Sequence, residues 1–131
     1  MSHIVEARTR VQHPDLALLR QAAEIVAGAH EGGHVEDHIL DYGRRRQAVS
    51  SGLAVFTGRV FRGIGIEIDE AGKLSFKGDP WAVHAEFSRL QQELVQTYVS
   101  LATMAALQQM GYSTEASQEE QQVVIRGVAY A

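Results

Sequence analysis

Cysteine is absent from the 131 residues of this chain, and proline occurs only twice. Without cysteine the chain can form no disulfide scaffold, no thiolate zinc site, no iron–sulfur cluster and no thiolate nucleophile. No apolar run approaches the roughly 18 residues that a membrane-spanning helix needs, which argues against a membrane protein. No basic segment followed by an apolar one opens the sequence, and this favours a protein that stays in the cytoplasm.

The composition is that of a globular protein. Hydrophobic residues make up 45% of the chain and charged residues 21%, which excludes wholesale disorder. The length fits one domain, 1–131, that can bury a hydrophobic core without a covalent cross-link. The formal net charge is −4, yet residues 44–77 hold seven basic side chains against three acidic ones. This asymmetry can steer an anionic partner towards one face.

The spacing of apolar residues predicts the order β-α-(β)-β-β-β-α-β-β. A strand is predicted over residues 4–11, and Pro14 at the first helical position begins a helix that ends at Gly28. Residues 30–51 are interpreted as a long polar connection with one short strand, at 39–42. Strand patterns follow at 53–56, 64–68 and 74–76, and the last two form a hairpin whose turn contains Gly72.

A long helix dominates the second half of the sequence. Asp79 is predicted as its N-cap and Pro80 as its first residue, and apolar residues then recur every three or four positions until Gly111. Trp81 and Tyr98 fall on or near this apolar stripe and are assigned to the core. Two strands around a turn at 117–120 complete an α+β domain, a mostly antiparallel sheet with two helices packed on one face.

Three stretches of the chain resemble one family. They are the opening Met1-Ser2-His3-Ile4-Val5-Glu6, the hairpin over residues 66–76, and the closing Gly111-Tyr112-Ser113 with its valine-rich strand. The family is the domain of unknown function twelve-fifty-seven, or hypothetical chloroplast frame thirty-five, of cyanobacteria, plastid genomes, other bacteria and phages. The likeness covers about two thirds of the chain and leaves out residues 30–51. It implies a small cytoplasmic or stromal accessory protein that acts through a partner, and it carries over no catalytic residue.

The sharpest local motif is His30-Glu31-Gly32-Gly33-His34, which matches the His-Glu-x-x-His pattern of zinc hydrolases. In that chemistry the two imidazoles lie one helical turn apart and bind zinc, and the glutamate activates the metal-bound water. Two adjacent glycines weaken a helix by about 1 kcal/mol each at the point where rigidity is needed. A metal-dependent hydrolase is therefore an alternative hypothesis, and we assign no catalytic, cofactor-binding or metal-binding residue from the sequence.

His38 extends this histidine series. On a helix, His30 and His38 would lie about 12 Å apart along the axis, which is too far to share one ion. Glu36 and Asp37 could nevertheless complete a site for a divalent ion with two of the three histidines. Whether these histidines bind a metal stays open at the level of sequence.

Basic residues suggest a second alternative, binding of nucleic acid through segment 44–62. Arg44, Arg45 and Arg46, with Arg59 and Arg62, could follow a phosphate backbone, and Phe56 and Phe61 could stack on bases. The alternative explanation of this segment is purely structural: a solvated loop beside a strand whose aromatic side chains face the core. Because the rest of the molecule is acidic and would repel a polyanion, this alternative is not favoured.

Glutamine marks one face of the long helix, at Gln91, Gln92, Gln96, Gln108 and Gln109. An uncharged face of this kind suits packing in a homo-oligomer or against a larger protein, and it also suits plain exposure to solvent. The favoured hypothesis is a non-enzymatic interaction module. It would meet a protein partner, or a second copy of itself, through the helix face or a free sheet edge.

Overall fold

The computed structural model describes residues 4–119 and 122–129. Its elements in chain order are β1 (Val5–Gln12), α1 (Leu16–Gly28), β2 (His34–Glu36), β3 (His38–Leu40), β4 (Arg46–Ala48), β5 (Leu53–Phe56), β6 (Ile64–Ile68), β7 (Lys73–Gly78), α2 (His84–Gln109), β8 (Tyr112–Glu119) and β9 (Gln122–Ala129). The predicted α+β class and the predicted order of elements are confirmed. Neither helix is long and apolar enough to cross a membrane, over the residues described.

The main sheet has five strands in the order β1-β7-β6-β5-β2. Every neighbouring pair is antiparallel, and β1 and β2 form the two edges. β3 and β4 pair as a separate two-stranded ribbon, and β8 and β9 pair as a hairpin after α2. The antiparallel order brings the end of β5, the start of β6 and the end of β7 to the same end of the sheet.

Both helices pack on one face of the main sheet, as predicted. The stripe of α2 with a spacing of three and four is buried at Phe87, Leu90, Leu94 and Tyr98, and α1 contributes Leu19, Ala22, Ala23, Val26 and Ala27. These side chains meet alternate residues of β5, β6 and β7 in one cluster. The Tyr98 hydroxyl also accepts a hydrogen bond of 2.9 Å from the Asp15 backbone N–H, which connects α2 to the start of α1.

The β3–β4 ribbon covers part of the opposite face. Ile39 and Val49 pack there against Ala54 and Phe56 in a second, smaller core. Gly65 lies beneath the ribbon, and a Cβ at that position would come within 3.0 Å of a Val49 methyl and 3.3 Å of an Ile39 methyl. The absence of a side chain at residue 65 therefore allows the ribbon to approach the sheet closely.

A polar network holds the end of the ribbon to the sheet. The Glu67 carboxylate accepts a hydrogen bond of 2.6 Å from the Ser50 backbone N–H and pairs with the Lys77 ammonium at 2.8 Å. Lys77 also donates to the Ala48 carbonyl at 2.7 Å. Burial alone would raise the pKa of Glu67, but the hydrogen bonds from Lys77 and Ser50 outweigh it and hold the pKa below its ordinary value.

The interpretation of residues 30–51 needs correction. This segment contains three short strands, β2, β3 and β4, where one was predicted at 39–42. β2 extends the main sheet, and the other two form the ribbon. Strands of three residues are too short to show the alternation on which sequence reasoning relies.

The predicted starts of both helices also need correction. For α1 the residue at the boundary differs, and for α2 the helix begins several residues later than predicted. Asp15, not Pro14, occupies the boundary of α1, where its side chain accepts a hydrogen bond of 3.1 Å from the Leu18 N–H. α2 begins at His84 with Val83 as its N-cap, and neither Asp79 nor Pro80 belongs to it. Ala82 has a left-handed φ of 67°, which interrupts any helix that would begin at Pro80.

The C-terminal hairpin differs in one detail from its prediction. β8 continues through residue 119, so residues 117–119 belong to a strand and not to the predicted turn. Residue 120 of that turn, and residues 1–3 of the opening hexapeptide, lie outside the described part of the chain. The predicted end of α1 at Gly28 and the hairpin that turns at Gly72 are confirmed.

We expect Glu67→Gln to lower the free energy of unfolding at pH 7 by about 1 to 2 kcal/mol, because it weakens charge-assisted hydrogen bonds to a mostly buried group. A pKa held below its ordinary value gives stability that is present above pH 4.5 and is lost as the pH falls through the pKa of the folded state. The difference between variant and wild type should therefore shrink below pH 4.5. Urea unfolding from pH 7 to pH 3 measures it.

The matched control is Glu70→Gln, in the exposed turn of the same hairpin. It should leave the free energy of unfolding within about 0.5 kcal/mol of wild type. A Glu67→Gln difference that persists unchanged at pH 3 would contradict the role assigned to this carboxylate.

Candidate interaction surface

Three loops meet at the end of the main sheet where β5 ends, β6 begins and β7 ends. The loop between β5 and β6 carries Phe61 and Arg62, the segment after β7 carries Trp81, and the turn of the ribbon carries Tyr42. The Leu40 N–H donates a hydrogen bond of 2.8 Å to the Arg62 carbonyl, which brings the ribbon to this end. We call Tyr42, Phe61, Arg62 and Trp81 the aromatic–arginine patch.

A buried ion pair anchors the patch. The Arg62 guanidinium donates to the Asp79 carboxylate at 2.9 Å, and only 13% of the Arg62 side chain and 1% of the Asp79 side chain are exposed. The other carboxylate oxygen of Asp79 accepts a hydrogen bond of 3.1 Å from the Trp81 backbone N–H. One carboxylate therefore fixes both the guanidinium and the start of the loop that carries Trp81.

The three aromatic rings surround the Arg62 guanidinium. Its central carbon lies 5.3 Å from the ring centroid of Tyr42, 5.3 Å from that of Phe61 and 5.8 Å from that of Trp81. Cation–π attraction at these distances contributes about 0.5 to 2 kcal/mol per contact, depending on exposure. The rings are thus held around a fixed charge while their outer surfaces face solvent.

The exposure of these rings is high for their size. Tyr42 is 67% exposed, Phe61 52% and Trp81 46%. The assignment of Trp81 to the core is therefore wrong, because the segment that carries it is not helical and leads its ring away from the apolar face of α2. The assignment of Tyr98 to the core is confirmed at 6% exposure.

Arginines border the patch on the side of the ribbon. Residues 44–46 are exposed, and they follow Tyr42 in a turn closed by hydrogen bonds between Asp41 and Arg45. The hydrogen bond from the Arg45 backbone N–H holds the pKa of Asp41 below its ordinary value. The turn therefore places cationic side chains beside the exposed tyrosine.

The two outer histidines of the His-Glu-x-x-His motif point to different places. His30 Nε2 lies 2.5 Å from the Glu93 carboxylate of α2, on the helix-covered side of the sheet. His34 belongs to β2 and stacks on Phe56, which contributes to the opposite face. The motif is not helical, since Gly32 has a left-handed φ of 69°. The structure therefore does not bring His30 and His34 together.

His30 instead lines a cleft of about 690 Å³ between the α1–β2 turn, the β5–β6 loop and the first half of α2. Glu31, Arg59 and Glu93 also line it, so the cleft contains both acidic and basic side chains. The Gly58 N–H donates a hydrogen bond of 3.0 Å to the Glu31 carbonyl. This bond joins the α1–β2 turn to the β5–β6 loop. Within the cleft, His30 and Glu93 form one imidazole–carboxylate pair.

No family model, curated protein or solved structure matches this chain. The resemblance to the domain of unknown function twelve-fifty-seven family stays a prediction. The interpretation of the surface therefore depends on its own residues.

The basic segment is divided by the fold. Phe56 is buried at 5% exposure and cannot stack on a base, whereas Phe61 is exposed. Arg59 is 81% exposed and makes a long contact of 3.5 Å with Glu86, and Arg62 is paired with Asp79. The structure thus divides the predicted strip: Phe56 lies in the core and Arg59 lies beside Glu86. Phe61 and Arg62 belong to the patch, and Arg44, Arg45 and Arg46 lie at its border.

The glutamine face of α2 lies beside the free edge of the sheet. Gln91, Gln92 and Gln96 line a shallow groove of about 290 Å³ with the edge strand β1. The predicted free edge therefore exists and adjoins the predicted helix face. Neither carries the exposed aromatic side chains that distinguish the patch.

Sequence reasoning missed the patch because its members are distant in the chain. The one available signal was the Phe61-Arg62 dipeptide, an aromatic residue beside a base. The Leu40–Arg62 hydrogen bond brings Tyr42 to this dipeptide, and the Arg62–Asp79 hydrogen bond brings Trp81 to it. The sequence reveals neither contact.

We expect Asp79→Asn to lower the free energy of unfolding by about 2 to 4 kcal/mol, because it leaves the Arg62 charge without its buried partner. The fluorescence of Trp81, the single tryptophan, should shift to longer wavelength at the same time, since Asp79 fixes both Arg62 and the Trp81 loop. Chemical unfolding followed by fluorescence measures both effects.

Arg59→Gln is the control, because it removes a solvent-exposed ion pair of the same charge type. It should change the free energy of unfolding by less than about 0.5 kcal/mol and leave the emission unchanged. If Asp79→Asn behaves like Arg59→Gln, the ion pair does not organise the patch.

Proposed function

We propose that this protein is a non-enzymatic interaction module that binds a protein partner through the aromatic–arginine patch. The observation that carries the proposal is that three exposed aromatic rings are held around one fixed arginine. Tryptophan, tyrosine and arginine are the residues most enriched among the energetic centres of protein interfaces. They supply large contact areas with few rotatable bonds to immobilise.

Preorganisation supports this function. Cation–π contacts and the Arg62–Asp79 pair already restrict the patch in the free protein. A partner that covers the rings therefore loses little additional side-chain entropy on binding. An apolar side chain of the partner that is placed between Phe61 and Trp81 would bury ring surface that now contacts water.

Charge indicates the kind of partner. Asp79 balances the charge of Arg62, so the attraction for an anionic partner comes from the exposed Arg44, Arg45 and Arg46 at the border of the patch. A segment that combines an apolar anchor with neighbouring Asp or Glu would match both parts of this surface. We therefore propose a partner with an acidic–apolar segment.

Self-association through the same patch is a weaker fit. A two-fold dimer places the same residues of both copies against each other. Two sets of exposed arginines would then face one another across the interface, and like charges in contact oppose association. The homo-oligomer that the sequence left open is thus the less favoured form of this proposal.

Nucleic acid is the second candidate, because exposed aromatic rings beside arginines can also stack single-stranded bases. The patch offers three rings, of which Phe61 and Trp81 belong to neighbouring loops of the sheet end. The net charge of −4 opposes binding of a long polyanion, which makes a protein segment the better match.

Selection of random peptides displayed on phage tests the proposal directly. Peptides selected on the wild-type protein should share an apolar anchor with nearby Asp or Glu. Their affinity for a Phe61→Ala, Trp81→Ala double variant should fall at least tenfold, because the variant lacks two of the three anchor rings. Fluorescence anisotropy with labelled synthetic peptides measures the affinities.

The control variant is Leu16→Ala, Val99→Ala, which removes two exposed apolar side chains outside the patch. It should bind the selected peptides as wild type does. Circular dichroism should show both double variants to be folded. Failure to enrich any peptide, or peptides that bind the patch variant equally well, would overturn the proposal. Retention of a labelled oligothymidine in place of peptides, with the same loss in the patch variant, would favour nucleic acid.

A further inference from the structure

A second cluster of side chains lies at the junction between the main sheet and the ribbon, away from the patch. Glu36, Asp37 and His38 each offer a ligand atom, and these atoms lie within 4.8 Å of one another. His34 lies beside this group and approaches one member of it, with its Nε2 3.8 Å from a Glu36 carboxylate oxygen. Neighbouring ligands of a tetrahedral zinc ion with bonds of 2.0–2.1 Å are roughly 3.4 Å apart, so the side chains would have to turn towards one another to share an ion.

The hydrogen bond at the other ring nitrogen of His34 fits a metal ligand. His34 Nδ1 lies 3.1 Å from the Gly32 carbonyl oxygen. Because a carbonyl can only accept, this contact favours a proton on Nδ1 and leaves the lone pair of Nε2 directed towards Glu36. Metal-binding histidines characteristically donate their second ring N–H to a carbonyl or carboxylate in this way.

His38 makes a similar contact through its Nδ1, with a carboxylate in place of the carbonyl. Its Nδ1 lies 2.9 Å from Asp37 Oδ1, and only 14% of its side chain is exposed. The Phe56 ring further restricts both imidazoles, since it stacks on His34 at 5.1 Å and contacts His38 at 6.0 Å. Both imidazoles therefore lie against the same buried ring.

We propose that Glu36 and His38 form the centre of a binding site for a divalent transition-metal ion, that His34 turns in from beside Glu36 as the third ligand, and that Asp37 is the carboxylate that orients His38. Two imidazoles and a carboxylate suit Zn²⁺ and its first-row neighbours, whereas Mg²⁺ and Ca²⁺ prefer oxygen ligands alone. This site shares only His34 with the hydrolase motif. It does not depend on the function proposed for the patch.

The position of the site indicates what the ion would do. His34 and Glu36 belong to β2, at the edge of the main sheet, and His38 belongs to β3 of the ribbon. An ion bound by all three would connect the ribbon to the sheet, in addition to the packing of Ile39 and Val49 over Gly65. Its role would be to stabilise the native state, because a ligand that binds only the folded chain raises the melting temperature.

Zinc titration of protein without a polyhistidine tag tests the proposal, by calorimetry and by thermal unfolding. We expect one Zn²⁺ per chain and a rise in Tm of roughly 5 °C or more at a hundredfold excess over Kd. His38→Gln and Glu36→Gln should each weaken binding at least tenfold. Mg²⁺ at the same concentration should give no shift.

Two further variants separate this site from other histidines. His30→Gln changes the first residue of the hydrolase motif, and His84→Gln changes an exposed histidine at the start of α2. Both should bind Zn²⁺ as wild type does. No Tm rise and no binding heat with Zn²⁺, or one bound ion that persists in His38→Gln and disappears in His30→Gln, would overturn the proposal.

Discussion

The Arg62–Asp79 ion pair is the interaction on which the patch-bearing end of the main sheet depends. Arg62 comes from the loop before β6 and Asp79 from the residue after β7, so the pair joins two neighbouring strand ends. Its carboxylate also holds the loop that carries Trp81, and the Arg62 carbonyl holds the ribbon that carries Tyr42. A buried pair adds little to stability on its own, yet it determines how three loops are arranged. The exposed rings of the patch are a consequence of that arrangement.

The main sheet is used differently on its two faces. The helix face carries the large core and is built from long periodic elements. The opposite face is partly covered by strands of three residues, which are held by Ile39, Val49 and the Glu67–Lys77 network. Because such short strands gain little from their own hydrogen bonds, the ribbon depends on side-chain anchors. The turn of Tyr42 belongs to this anchored ribbon, and the histidine–carboxylate cluster lies where the ribbon leaves β2 of the main sheet.

The sequence predicts the helices and strands that have long patterns of apolar spacing. It does not predict the features that depend on a single contact between residues distant in the chain. The stripe Phe87, Leu90 and Leu94 and the hairpin at Gly72 follow from local spacing, and the structure confirms them. Asp79 was a good candidate for a helix cap, but a distant arginine competes for the same carboxylate, and α2 therefore begins at His84. The histidine motif failed as a helical pair for a similar reason. Gly32 adopts a left-handed φ, so the segment is not helical. His30 contacts the Glu93 carboxylate, and His34 stacks on Phe56.

The position of β1 determines when the sheet can be completed. Val5 pairs with Gly78 and Arg8 with Ser75, so roughly seventy residues separate the partners along the chain. Closing so long a loop costs entropy before any ladder hydrogen bond is formed, and contacts of this kind slow folding. During synthesis β1 leaves the ribosome long before β7, whereas β6 and β7 are neighbours in the chain and can pair as soon as both have emerged. Until β7 is available, the β-branched residues of β1 are open to association with other chains.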